Sequence, residues 1–290
     1  MNKNLLTGIG VCGVLLMGSI YTASASTSGY DVLKESFKKT KQAESLTAQV
    51  KLTIEDNGKT VYQVDAECKN NRADQLQNKE ATITKGDVKT ILHAYQQNEK
   101  MYVTREGTDK IIQLNGPHKG PGRHHGEPSE EMKQEMENIF DALTSDLHDQ
   151  VIVQEGANGT KEVTMELTET EIPAAVSAIG TFIVKHANEG HKKHNDSFHQ
   201  EWFTDVKPEL PALTDSIHLN RIYLTAEIGA NGFVEEKAVQ ISFTGKDQQG
   251  VQHNLEVSVE ADLTDFNQTS VEPLDLTGKQ VEEINMKHKE

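Results

Sequence analysis

The chain has 290 residues and carries 45 acidic side chains against 29 lysines and arginines, which gives a formal net charge of −16 at pH 7. A polyanion of this kind repels the phosphates of nucleic acids and of anionic lipids, so nucleic acid is excluded as an expected partner. Hydrophobic residues make up 35% of the sequence, which is polar but still compatible with a folded core.

The first 25 residues have the parts of an export signal peptide. Lys3 supplies the positive start, residues 5–21 form an apolar run, and Ala23-Ser24-Ala25 offers a cleavage site of small residues. The alternative is an uncleaved anchor, because the run approaches the roughly 20 apolar residues that a membrane-spanning helix needs. The rest of the chain is predicted to be exported to the extracellular or cell-surface side, with membrane contact only through this segment if it is uncleaved.

An α-helix is predicted over Tyr30–Ala43, and antiparallel strands joined by hairpins follow it. In the first hairpin, a three-residue loop at 56–58 would place Leu52 opposite Tyr62, so that the apolar residues of both strands share one face. Gly58 is expected in the left-handed conformation that closes such a loop, and Gly159 is expected to do the same in a second hairpin.

The later hairpins follow the same logic, because apolar and polar residues alternate on both sides of each turn. The predicted cross-strand pairs are Val153–Val163 and Val151–Met165 around a turn at 157–159, Phe243–Leu255 and Ile241–Val257 around 248–250, and Leu224–Val239 and Ile222–Ile241 around a two-residue type I′ turn at 231–232. Shorter strands are predicted near 81–84, 88–95, 100–104 and 110–114.

Two further helices are predicted, over Ser129–Leu147 and Thr170–Lys185. Thr170 is the expected N-cap of the last helix, with Pro173 in its first turn. This helix is apolar almost all round, a pattern typical of a helix that is buried or that faces an apolar cavity.

About eleven antiparallel strands and three helices predict an α+β fold, in which a curved half-barrel sheet is covered by the helices. We expect one domain over residues 26–276, with histidine-containing loops at 115–128 and 188–216. A polar C-terminal tail is predicted over residues 277–290.

This inventory of elements resembles the half-barrel of the Lol-type bacterial lipoprotein and lipid carriers, whose sheet is lidded by helices. In addition, the stretches TEIPAAVSAIG, ISFTGKDQQG, NLEVSVEADL and LDLTGKQVEEI are similar to a family of exported proteins from Gram-positive bacilli that has no assigned function. The stretches cover residues 170–180, 241–250, 254–263 and 274–284. The first resemblance implies an apolar ligand held between sheet and helices.

An apolar ligand site is predicted between the sheet and the helices, because the helices over Ser129–Leu147 and Thr170–Lys185 carry more apolar surface than one sheet face needs and methionines adapt to a flexible guest. Its expected lining residues are Met132, Met136, Ile179, Phe182 and Trp202. The expected function is that of a non-enzymatic exported binding protein for a lipid or acyl chain. The alternative is a cell-envelope sensor or interaction protein whose sheet receives another polypeptide, so an envelope protein is the second expected partner. No catalytic constellation is recognisable, and we expect neither enzymatic activity nor a cofactor.

The histidine-rich loops form the remaining candidate site. Imidazole and carboxylate groups there could hold a metal ion, but their spacing matches no closed site. The sequence therefore favours solvated loop histidines with weak metal binding over a specific metal site. The candidate metal ligands are His118, His124, His125, His191, His194 and His199.

Overall fold

The computed structural model describes residues 28–115, 150–186, 202, 206–208 and 210–285. Within these ranges lie two α-helices, α1 (Gly29–Gln42) and α2 (Ala174–His186), and twelve strands. The strands are β1 (Ser45–Asp56), β2 (Lys59–Asn71), β3 (Leu76–Lys85), β4 (Val88–Gln97), β5 (Lys100–Arg105), β6 (Ile111–Asn115), β7 (Val151–Glu155), β8 (Lys161–Thr168), β9 (Asp215–Ile228), β10 (Val234–Lys246), β11 (Gln252–Thr264) and β12 (Val281–Asn285).

All twelve strands belong to one sheet, in the order β12-β6-β5-β4-β3-β2-β1-β11-β10-β9-β8-β7. The sheet is open, with β12 and β7 at its two edges, and β12 pairs with β6 in parallel. The α+β half-barrel with about eleven strands and three helices is therefore a wrong prediction. Strands make up 55% of the described residues and helices 15%, so the fold is mostly β.

The strand content is high because the hairpins extend well beyond their apolar centres. The strands β1, β2, β9, β10 and β11 have 12 to 14 residues each. Their polar ends continue the ladder through backbone hydrogen bonds, which hydrophobic periodicity does not report. The helix predicted over Ser129–Leu147 lies outside the described residues.

Two hairpin registers agree with the sequence analysis. Val153 faces Val163 across β7 and β8, and Phe243 faces Leu255 across β10 and β11, as predicted. Gly159 has a φ of +81°, which confirms its left-handed conformation. The strands predicted near 88–95, 100–104 and 110–114 are confirmed to within two residues at each end, as β4, β5 and β6. The strand predicted near 81–84 is also present, but β3 begins five residues earlier, at Leu76.

The predicted register of the first hairpin is wrong by two residues. Its turn consists of Asn57 and Gly58 alone, with φ values of +52° and +76° that suit a type I′ turn. Leu52 faces Val64 rather than Tyr62, because the ladder shifts beside Ile54 and leaves an extra residue in β2. Such a β-bulge shifts the pairing beyond it by one residue. The shift exchanges the faces of one strand relative to the pairing that the two-residue turn alone would give. The apolar residues consequently still share a face.

A bulge also changes the turn between β9 and β10. The predicted pairs Leu224–Val239 and Ile222–Ile241 are confirmed, but the two-residue turn at 231–232 is wrong. The pairing closes with Ile228 opposite Val234, which makes the loop longer, and a register shift after Val234 then restores the predicted partners.

The inner face of the sheet packs against α1 and forms the main core. Ser28 caps this helix by accepting a hydrogen bond from the Asp31 amide at 3.2 Å, and Lys39 and Lys41 lie in its last turn, where cations favour the helix dipole. This helix contacts β7 and β10, and its buried Tyr30 and Leu33 belong to the same apolar cluster as side chains of β1 to β4 and of β8 to β11.

The second helix, α2, packs on a smaller apolar cluster at the other end of β9 and β10. A Cβ placed on Gly180 would lie 3.2 Å from Leu219 and 3.3 Å from Phe243, so glycine permits the close approach of helix and sheet. The predicted cap by Thr170 is wrong, because the helix begins only at Ala174, after Pro173. No helix in the described part of the chain is long and apolar enough to cross a membrane.

The segment Asp265–Gln280, which we call the strap, connects β11 to the far edge strand β12. The hydroxyls of Thr47 and Thr269 lie 3.0 Å apart, which ties the strap to β1. The side-chain amide of Gln97 exchanges two hydrogen bonds with the backbone of Leu274, at 2.7 and 3.1 Å, which ties it to β4. Beyond the strap, residues 281–285 of the predicted polar tail form β12 and belong to the sheet.

Candidate functional site

The outer face of the sheet, opposite α1 and the main core, carries a line of carboxylates that we call the carboxylate row. Each member is the cross-strand partner of the next, and the side chains of such partners lie roughly 4.5–5.5 Å apart at Cβ. The row continues through one glutamine, on β1, and ends beside His93 on β4. Its members are Glu162 (β8), Glu227 (β9), Glu236 (β10), Asp262 (β11), Gln49 (β1), Glu67 (β2) and Glu80 (β3).

Hydrogen bonds partly compensate the charge at one end of the row. The Gln49 amide donates to Glu67 at 2.6 Å, and Lys69 lies 2.8 Å from the same carboxylate. The hydrogen bond from Lys69 therefore lowers the pKa of Glu67, against a smaller opposing effect of burial. Towards the middle of the row, Glu236 has a carboxylate as its cross-strand partner on both sides, and like charges in this arrangement repel each other.

Three shallow clefts lie side by side along the row on the outer face, and we call them together the trough. A cleft of about 410 Å³ lies over β8 to β11, and a second of about 490 Å³ lies over β11 and β1 to β3. Both are lined by Glu260 and Asp262, which makes them neighbours. The third cleft, of about 770 Å³, shares Glu80 with the second and lies over β3 to β6.

The third cleft combines aromatic and charged groups. The rings of His93 and Tyr95 form its floor and are nearly parallel, with centroids 6.3 Å apart, and His93 lies 3.5 Å from the Glu80 carboxylate. Burial and the nearby negative charge of Glu80 both raise the pKa of Tyr95. The turn at 106–110 and the end of the strap at 278–280 form its walls. This end of the trough offers stacking and carboxylate contacts together.

Of the residues predicted to line an apolar cavity, Ile179 and Phe182 adjoin each other on α2, whereas Trp202 lies apart from them in the main core. Ile179 and Phe182 lie on the side of α2 that faces away from the sheet, where they are 52% and 64% exposed. Trp202 is only 2% exposed and belongs to the main core, with its carbonyl accepting a hydrogen bond from Arg105 at 3.2 Å. Met132 and Met136 lie outside the described residues.

The six histidines of the predicted metal site also lie outside the described residues. Within the described ranges, no group of three or more histidine, cysteine, aspartate or glutamate side chains is arranged to hold a metal ion. His93, His218 and His253 instead contact carboxylates as single rings.

Sequence reasoning missed the carboxylate row because its members are far apart along the chain. The available signal was the acidic residue at the outward positions of β2, β3, β8, β9, β10 and β11, which alternate with buried ones. Alternation of polar and apolar residues assigns each side chain to a face of the sheet. It does not say which residue of the neighbouring strand lies opposite. The row needs the pairing of β1 with β11, which joins residues some 200 positions apart.

Comparisons with known proteins give no family. No family model and no curated protein matches the chain. Two solved structures are similar at a very low level. The tesB protein of Mycobacterium avium subspecies paratuberculosis is 9% identical, covering 81% of this chain and 84% of its own, with a TM-score of 0.13. A variant of the PpsC dehydratase domain from Mycobacterium tuberculosis is 11% identical, covering 76% of each chain, with a TM-score of 0.11.

Proposed function

We propose that this protein is a non-enzymatic, exported interaction protein that binds a basic polypeptide of the cell envelope along the outer face of its sheet. The carboxylate row supports the proposal most directly. It places Glu162, Glu227, Glu236 and Asp262 side by side on four neighbouring strands, within a trough that reaches the aromatic floor of the third cleft.

The charge pattern favours a cationic partner on physical grounds. Opposed like charges in a sheet cost stability, and a lysine or arginine side chain lying over the row would relieve that repulsion. An acidic row also attracts a cationic partner during encounter and makes the binding depend on salt. An extended basic segment would meet successive carboxylates at the spacing of neighbouring strands, roughly 4.7–4.9 Å.

Binding of a lysine-rich peptide tests the proposal. We expect fluorescence anisotropy with a labelled decalysine peptide to show binding at low salt that weakens steeply as salt is added. The triple variant Glu227→Gln/Glu236→Gln/Asp262→Asn should lose about 10-fold or more in affinity, because it neutralises the centre of the row.

The matched control separates a local site from overall charge. Asp74→Asn/Asp87→Asn/Glu99→Gln removes the same number of charges from exposed turns at the ends of the sheet, and it should bind nearly as tightly as the parent protein. Equal weakening in both triple variants would mean that the peptide senses only net charge. That result, or no binding by the parent protein, would reject the outer face as the partner surface.

A second candidate function rests on the exposed side of α2. Ile179, Phe182 and Ile183 are 52%, 64% and 61% exposed and adjoin one another on the helix. Clustered exposed apolar side chains of this kind mark sites that contact apolar partners. We infer that this surface could receive a lipid or acyl chain, which keeps the carrier function as the alternative.

Calorimetric titration with a long-chain fatty acid distinguishes the two candidates. If α2 holds the ligand, Ile179→Gln/Ile183→Gln should abolish the heat of binding. Val88→Gln/Val251→Gln should leave it unchanged, since these comparably exposed residues lie in separate hairpins. A flat titration with the parent protein would remove the carrier function.

A further inference from the structure

His253 lies between two carboxylates that come from different hairpins. Its Nδ1 is 2.9 Å from Oδ2 of Asp56, at the end of β1, and its Nε2 is 3.4 Å from Oδ2 of Asp247, in the turn between β10 and β11. The side chain of His253 is only 12% exposed, and both carboxylates are similarly shielded from solvent. The ring therefore bridges two hairpin tips that are far apart in sequence.

Two further hydrogen bonds hold the same two tips together. The backbone N–H of Asn57 donates to the backbone carbonyl of Asn254 at 2.9 Å, and the backbone N–H of Asn254 donates to the side-chain Oδ1 of Asn57 at 3.1 Å. On the other side of the ring, the carboxylate of Asp247 accepts hydrogen bonds from the backbone N–H groups of Gln249 and Val251, at 2.9 and 2.8 Å. The Asp247 carboxylate and the backbone next to Asp56 are thus held in place on the two sides of the ring.

The protonation state of the ring decides how many of these contacts it can make. An imidazolium carries a hydrogen on each nitrogen and can donate to Asp56 and Asp247 at once, whereas a neutral imidazole has a single hydrogen to donate. We propose that His253, Asp56 and Asp247 form a pH-operated clamp, which fastens the β1–β2 tip to the β10–β11 tip when the ring is protonated. A neutral ring releases one of the two carboxylates, and this loosens both tips.

The electrostatic balance agrees with this geometry. Partial burial disfavours the charged ring, but the hydrogen bonds and charges of Asp56 and Asp247 together outweigh it, so the pKa of His253 is raised above its usual 6.5. For Asp247, burial opposes ionisation, yet the amides of Val251 and Gln249 together with His253 hold the pKa of its carboxyl below its ordinary value. Both shifts favour the charged forms that the clamp needs.

The direction of the pH dependence follows from the raised pKa. The stabilisation by His253 is complete below pH 6.5, the value of the unfolded chain, and is lost as pH rises through the higher value of the folded state. Acidification to about pH 5.5 should therefore tighten the two tips, and mildly alkaline conditions should loosen them. The lowered pKa of Asp247 keeps its carboxylate ionised over that range.

Hydrogen–deuterium exchange at several pH values tests the clamp. After correction for intrinsic exchange, we expect protection of residues 57–59 and 247–251 to fall several-fold between pH 6 and pH 8.5. In His253→Gln, protection should be low and independent of pH. In Asp247→Asn, the pH at which protection is lost should move downward, because one of the charges that raises the pKa is gone.

His218 provides the matched control. It contacts Glu169 at 3.2 Å, but both side chains are largely exposed, so His218→Gln should leave the exchange of the two tips and its pH dependence unchanged. NMR titration of the His253 ring gives an independent readout. A pKa at or below 6.5 would overturn the proposal, and so would tip protection that is the same in the parent protein and in His253→Gln.

Discussion

A buried lysine under α1 gives a quantitative test of the core. Lys237 lies on the inner face of β10, is 7% exposed, and has its ammonium group 5.2 Å from the centroid of the Phe37 ring. Burial lowers the pKa of Lys237 from 10.5 to about 8. A shift of that size corresponds to about 3 kcal/mol of penalty on the charged form, at 1.36 kcal/mol per unit.

Lys237→Met should therefore stabilise the protein at neutral pH. Methionine retains most of the apolar length of the side chain and removes the buried charge, while the cation–π contact with Phe37, worth about 1 kcal/mol, is lost. We expect the free energy of unfolding to rise by about 2 kcal/mol at pH 7. Lys237→Arg, which keeps the charge, should give no gain.

The gain in the free energy of unfolding from Lys237→Met should shrink as pH rises. Because the folded-state pKa lies below that of the unfolded chain, the penalty is complete below pH 8 and disappears as pH approaches 10.5. Urea denaturation of both proteins at pH 7, 8, 9 and 10 measures this difference. A gain that stays constant over that range, or a loss of stability at pH 7, would refute the argument that Lys237 carries a desolvated charge.

Four further substitutions test other parts of the fold by thermal or urea denaturation. Tyr62→Phe removes the hydroxyl that donates to the Val206 carbonyl at 2.7 Å, and it should cost about 1–2 kcal/mol; an unchanged stability would mean that this buried bond contributes nothing. Replacing either Gly58 or Gly159 by valine forces a β-branched residue to a φ of +76° or +81° and should cost about 1–2 kcal/mol, so two neutral variants would contradict the turn geometry. Glu236→Gln should raise stability by up to about 1 kcal/mol by relieving repulsion from both neighbouring strands, and a lower melting temperature would argue against that repulsion.

Local chemistry made two hairpins predictable from sequence. The turn at 157–159 and the turn at 248–250 each contain a glycine with positive φ, and alternating apolar residues beside them allow only one register that buries both strands. The first hairpin has the same signals, yet its register was two residues off. A bulge beside Ile54 adds one residue to β2 between the turn and the apolar pairs, and no side chain there indicates it.

The sequence alone therefore determined the faces of the strands, the position of α1 and the turns with left-handed glycines, because these depend on neighbours within about 15 residues. Only the tertiary structure decided the strand order, in which β1 meets β11 and the strap carries the chain to β12 beside β6. The carboxylate row and the His253 clamp both depend on that long-range pairing. It is set by the summed packing of a whole sheet and not by any local pattern, and for that reason the candidate sites emerge only from the folded chain.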